Sequence, residues 1–177
     1  MGIHVRKGAD YQSRIWYQNT CSVDYYLHAV EMMKKQLKNP RFYVFADNKE
    51  WVRENLKGFD YTLVDGNPGS GWGSHYDLQL MSYCKHNIIS NSTYSWWGAF
   101  LNQNRNKVVI MPKVWFNPVS CEEHTSERLQ CTKWIQLYYV EHFRHYPHLW
   151  GGAFHRPLCR ESDVPDLEGR RGVHLRG

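Results

Sequence analysis

The apolar residues of this chain change period again and again, and that alternation constrains the fold more than any other feature. Ile3-His4-Val5 is a short β-branched entry. From Ser22 onward Val23, Tyr26, Leu27, Val30, Met33 and Leu37 recur at helical spacing, with Lys34, Lys35 and Lys38 late in the run, and Asn39-Pro40 stops it. Phe42-Tyr43-Val44-Phe45 reads as a buried strand. Asp47 or Asn48 can cap a helix carrying Trp51, Val52 and Leu56, which Gly58 ends. Tyr61 to Val64 is the next strand, and a loop runs from Asp65 to Gly73. A helix from about Ser74 to Lys85 should bury Leu78, Leu80, Met81 and Cys84. Asn87 to Ser90 is a strand, Thr93 to about Asn102 a helix, and Val108 to Met111 a strand closed by Pro112. Strand and helix thus alternate through five strands, the pattern of an α/β chain whose parallel sheet is wrapped by helices.

Composition narrows what such a fold can serve. At 177 residues, 42% apolar and 22% charged, the chain can bury a core as one ordinary domain, and wholesale disorder is excluded. No apolar run reaches the ~18–20 residues of a membrane span, and the start has no signal-peptide core, so the expected location is cytoplasmic, or at the inner face of a membrane through peripheral association. A net charge of +5 suits an anionic ligand but is too small and too dispersed to imply nucleic acid. The five cysteines form no C-x-x-C pair, which argues for reduced, mostly buried thiols rather than a disulfide scaffold or structural zinc. After Leu137 the periodicity ends. Residues 138–177 carry His142, His145, His148 and His155, then Arg160, Arg170, Arg171 and Arg176 among Gly and Pro. They read as an irregular tail, disordered or translated from a shifted frame, beside a folded unit of residues 1–137. The His142-x-x-His145-x-x-His148 run has no set of carboxylate partners, and no metal is expected there.

Ligands of open parallel sheets bind outside the carboxyl ends of the strands, so the residues leaving those ends are the candidates. The first strand delivers His4-Val5-Arg6-Lys7-Gly8-Ala9-Asp10-Tyr11, with a guanidinium and an ammonium beside a glycine, a combination that can hold phosphate oxygens. The second delivers Asp47, placed to accept from base or ribose donors or to cap the following helix. Ser90-Asn91-Ser92-Thr93 leads directly onto a helix start whose free amides and hydroxyls form an anion site, or a plain N-cap. Asn91-Ser92-Thr93 is also a glycosylation sequon, disfavoured at such a junction. Gly69-x-Gly71-x-Gly73 is neither a dinucleotide fingerprint nor a P-loop and reads as a turn or lid. Trp96-Trp97 could stack a sugar or base, but packing against the sheet is the simpler reading.

Two stretches resemble one family. His4-Val5-Arg6-Lys7-Gly8-Ala9-Asp10-Tyr11 is similar to the H-x-R-R-G-D-Y motif of α-1,2-fucosyltransferases, glycosyltransferase family 11. The block Asp77-Leu78-Gln79-Leu80-Met81-Ser82, followed by Cys84-Lys85-His86-Asn87-Ile88-Ile89-Ser90-Asn91-Ser92-Thr93-Tyr94-Ser95-Trp96-Trp97-Gly98-Ala99-Phe100-Leu101-Asn102, resembles that family nearly residue for residue. The likeness runs over roughly residues 3–137. It implies a Rossmann-like lobe, the C-terminal, donor-binding half of a GT-B glycosyltransferase, and inverting transfer of L-fucose from GDP-fucose to a galactose 2-hydroxyl of an oligosaccharide acceptor, with no cofactor and no divalent metal. Carried onto this chain, Arg6 would contact the diphosphate, supported by His4 and Lys7. Ser92 and Thr93 would add hydroxyl and backbone donors beside Asn91, and Asp47 would lie near the guanine. Asp10 is the nearest carboxylate to serve as base, which makes Arg6 and Asp10 the expected catalytic pair.

The chain departs from the motif by carrying Lys7 in place of a second arginine and Ala9 as an extra residue before Asp10. It also opens almost directly on the first motif, so it is expected to be a donor lobe without the acceptor lobe before it. The alternative is a catalytically inactive fragment that binds nucleotide sugar or glycan.

Overall fold

The computed structural model describes residues 1–18, 20–68, 71–117, 129, 131 and 133–137. Strand β1 (Gly2–Val5) is followed by a four-residue helix α1 (Ala9–Gln12) and a 3-10 turn (Ile15–Tyr17), neither of which has enough apolar periodicity to be read from sequence. Helix α2 (Val23–Gln36) starts where Ser22 Oγ accepts from the Tyr25 amide at 3.2 Å, and Asn39 beyond it takes a positive φ of 51°. β2 (Phe42–Ala46) leads to α3 (Lys49–Asn55), whose cap is Asn48: its Oδ1 accepts from Trp51 N at 2.9 Å. Of the two possible caps, Asp47 is thus left for other work. Then come β3 (Tyr61–Leu63), a 3-10 turn (Gly71–Gly73), α4 (His75–Tyr83), β4 (Asn87–Ile88), α5 (Thr93–Phe100) and β5 (Val109–Pro112). A sixth strand, β6 (Ile135–Leu137), corrects the count of five.

All adjacent strands pair in parallel, in the order β3-β2-β1-β4-β5-β6. This is the Rossmann order, and it reverses between β1 and β4, where the crevice of such sheets opens.

One core joins Ile3, Val5, Val44, Ile88 and Ile110 of the sheet to Tyr25, Tyr26, Ala29, Val30 and Met33 of α2 and Val52 of α3. Tyr25 and Ala29 therefore belong to the buried stripe of α2, which the expected set lacked. Tyr25 is tolerated at full burial because its hydroxyl donates to the Ile89 carbonyl at 2.6 Å, closing an acceptor past the end of β4. The opposite core gathers Ile89, Val109 and Met111 with Ala99 of α5 and Trp115. Helix α4 lies against α5 at Gly98, where an added Cβ would come within 3.1 Å of Met81 Cβ. Of the four residues expected inside α4 and its end, only Met81 is buried. Leu80 is 42% exposed, while Leu78 and Cys84 are half-buried, because α4 rests on α5 rather than flat on the sheet. Cys21 is buried, Cys84 and Cys131 half-buried, and all three are free thiols. The tail 138–177, with its histidine run, lies outside the described residues.

Candidate functional site

The parallel register sets Val5 beside Ala46, so the next residue of each strand, Arg6 and Asp47, emerge together at the carboxyl edge. Asp47 is fully engaged there. Its Oδ1 accepts from Lys7 N at 2.7 Å, and its Oδ2 accepts from Gly8 N at 2.8 Å and from Arg6 Nη1 at 2.5 Å. The second guanidinium arm, Nη2, donates to Asp10 Oδ2 at 2.6 Å. The extra residue Ala9 begins α1, and that turn brings Asp10, four positions on, back over Arg6. Gly8 is required by close approach rather than by a left-handed backbone: a Cβ there would lie 2.5 Å from Asp47 Oδ2 and 2.9 Å from Asp10 Oδ1. The Lys7 ammonium sits over the Trp51 ring at 5.1 Å, and its partial burial pulls its pKa below the ordinary lysine value.

Across the seam between β1 and β4, two bonds tie the strand ends together. His4 Nδ1 and Ser90 Oγ are 2.9 Å apart, both residues buried, and the His4 ring tilts against Tyr94 at 5.6 Å. Burial lowers the imidazole pKa to about 4, so His4 is neutral at pH 7 and cannot serve as a fixed cation for phosphate. The second tie is the Tyr11 hydroxyl donating to Asn91 Oδ1. Asn91 is saturated: its Nδ2 donates to Thr20 Oγ1 at 2.6 Å and to the Trp115 carbonyl at 2.9 Å, and its Oδ1 also receives Cys21 Sγ at 3.4 Å. With 2% exposure it holds the loops together beneath the cleft and is out of reach of a glycosylating enzyme.

Helix α5 opens at Thr93 with Ser92 as N-cap, and the Ser92 side chain makes no capping bond. The amides of that first turn are consequently not satisfied by their own cap, the arrangement an anionic ligand completes. Ser92 is half-buried and Thr93 exposed. The Tyr94 hydroxyl accepts from Leu78 N at 2.9 Å and donates to the Ser74 carbonyl at 2.5 Å, fixing α4 to this terminus. Trp96 packs at 4.9 Å on Phe100 and 5.7 Å from Trp134, while Trp97 is 49% exposed.

The structure thus draws Arg6, Lys7, Asp10 and Asp47 into one charged cluster and joins it to the Ser92–Thr93 terminus through His4–Ser90 and Tyr11–Asn91. Sequence reasoning missed Tyr11, Thr20 and Trp51 as supports. Tyr11 stood in the first motif, but its partner is 80 residues away, and no spacing rule links them.

A parallel sheet whose strand order reverses between β1 and β4, with a guanidinium, paired carboxylates and an uncapped helix terminus at its carboxyl edge, defines a Rossmann-like α/β protein. The family model described as Glycosyl transferase family 11 matches residues 1–138, and the chain belongs to that family. It is 33% identical over 138 residues to the O-antigen biosynthesis glycosyltransferase WbnK of Escherichia coli, covering 76% of this chain and 43% of that protein. It is 30% identical over 145 residues to an alpha-1,2-colitosyltransferase of Escherichia coli, covering 77% and 47% respectively. Galactoside alpha-(1,2)-fucosyltransferase 1 of Leontocebus fuscicollis is 32% identical over 107 residues, 57% of this chain and 28% of that protein. The chain therefore spans less than half the length of these curated relatives. No solved structure matches it. Among the described residues no helix is long and apolar enough to cross a membrane.

Proposed function

We propose that this chain provides the donor-binding part of a galactoside α-1,2-fucosyltransferase, which moves L-fucose with inversion from GDP-fucose to the 2-hydroxyl of a terminal galactose. The observation that carries the reading is the placement of Arg6 and the open α5 terminus on the two strands that flank the switch point, joined by the His4–Ser90 pair. The names of the relatives support the α-1,2 linkage and a deoxysugar donor.

In this reading the difficult event is departure of GDP while positive charge grows on the sugar ring. No metal is invoked, so fixed donors must stabilise the charge that builds on the diphosphate. Arg6, the Lys7 ammonium and the first-turn amides of α5 from Thr93 onward are the groups for that. His4 contributes as a neutral brace that sets the spacing of the two strand ends. Asp10, 71% exposed at the mouth of the cluster, is the carboxylate placed to take the acceptor proton.

GDP at about 100 times its Kd should add about 2.7 kcal/mol to the folded state, which for a domain of this size raises Tm by roughly 5–10 °C. Arg6→Ala should abolish that shift in differential scanning fluorimetry. An equal shift with ADP, or full protection of the Arg6→Ala variant, overturns the proposal.

A further inference from the structure

Arg6 is held by two carboxylates that differ in almost every physical respect. Asp47 is 21% exposed and makes three bonds, two of them to the backbone amides of Lys7 and Gly8. Asp10 is 71% exposed, sits on a four-residue helix and reaches the guanidinium through a single 2.6 Å bond. Withdrawing Asp47 would strand two amides and one guanidinium arm. Withdrawing Asp10 frees one arm and returns a carboxylate to water, where exposed ion pairs of this kind are worth a factor of only about two to five.

Charge makes the difference matter. Arg6 and Lys7 are balanced one for one by Asp10 and Asp47, so the ligand-free cluster has no net positive charge to offer an anion. A diphosphate that takes a charged partner's place on the guanidinium meets less resistance at Nη2, where Asp10 is held by one bond, than at Nη1, where Asp47 is held by three. Both also crowd the same space over Gly8, so a phosphate oxygen entering beside that residue displaces the outer carboxylate rather than adding to it.

We propose that the two acids divide the work. Asp47 is a positioning residue that locks Arg6 and the Lys7–Gly8 amides in place, and Asp10 is an exchangeable counter-ion that a diphosphate displaces from Arg6 Nη2. This rests on the donor-binding reading of the cleft. It adds an order of events to it: the Asp10 carboxylate becomes available at the mouth of the site only after the diphosphate is seated.

Isothermal titration of the full chain with inorganic pyrophosphate, and in parallel with GDP, tests the division. Asp10→Asn should bind pyrophosphate about two- to fivefold tighter than wild type, and the gain should shrink as salt screens the exposed pair. Asp47→Asn should bind at least tenfold more weakly, at low and high salt alike. In an Arg6→Ala background, where binding is lost, Asp10→Asn should restore none of it; recovered binding there would mean that the acid acts on the phosphate directly and not through Arg6, and overturns the division. Unchanged or weaker binding by Asp10→Asn, or unchanged or tighter binding by Asp47→Asn, overturns the division while leaving the donor site standing. Should Asp47→Asn fail to fold by circular dichroism, Asp10→Asn decides alone, because its side chain is solvent-exposed. Wild type that binds neither pyrophosphate nor GDP removes the donor site and this inference together.

Discussion

Lowering the pH from 7.5 to 4.5 protonates His4 in the unfolded chain well before the folded chain accepts the proton. Burial holds the folded imidazole at about 4, against 6.5 for an unperturbed histidine. The native state therefore resists a proton that the unfolded state takes up, and stability present above pH 6.5 is lost as the pH falls toward 4. One unit is worth 1.36 kcal/mol, so the full penalty is about 3 kcal/mol, of which about 2 kcal/mol has gone by pH 5. Other groups titrate in this range too, so the informative quantity is a difference. Urea unfolding of wild type and His4→Asn should be measured every half unit, Asn being chosen because its amide can still reach Ser90 Oγ. The variant should be less stable at pH 7.5, and the gap should close by about 2 kcal/mol by pH 5. A gap that stays constant from pH 7.5 to 4.5 would refute the buried, neutral histidine and with it the tight seam between β1 and β4.

Gly8→Ala should cost about 1–3 kcal/mol in urea unfolding and remove GDP protection, since its Cβ would intrude on Asp47 Oδ2 at 2.5 Å. Asn91→Ala removes the buried partner of the Trp115 carbonyl and leaves the Tyr11 hydroxyl with Thr20 Oγ1 alone, and its unfolding free energy should fall by about 2–4 kcal/mol. Excess chelator should leave the titration of GDP unchanged; a requirement for magnesium would count against a diphosphate held by protein donors alone.

Much of the scaffold was legible because its signals are local. The α2 stripe, the Ser22 cap, the Asn39-Pro40 stop and the apolar strands β2 and β5 each follow from residues within one or two turns of each other. β6 was not legible. Ile135-Gln136-Leu137 is too short to declare itself, and it is a strand only because β5 offers Ile110, Met111 and Pro112 as a parallel edge. The candidate site divides the same way. That Arg6, Lys7, Asp47 and the Ser92–Thr93 turn leave strand ends could be read directly, but not that Asp47 pairs with Arg6. That pairing spans 41 residues and depends on β1 and β2 being neighbours in register. The partners of Asn91 were hidden for a related reason. A polar side chain at a strand end looks available until the four groups that saturate it arrive from distant segments.

The strand order also has a bearing on how the molecule assembles. β1 finds β2 about forty positions away, as Gly2 meets Tyr43, but must wait for Asn87 to meet β4. Contacts of long sequence separation are intrinsically the slow ones, so the β1–β2–β3 half can zip up before the β4–β5–β6 half docks. The seam sealed last is the one lined by His4 and Ser90, so maturation of the sheet and creation of the crevice are a single event. Pulse-labelling hydrogen exchange during refolding should accordingly show amides of β2 protected ahead of those at Ile89 and Ser92.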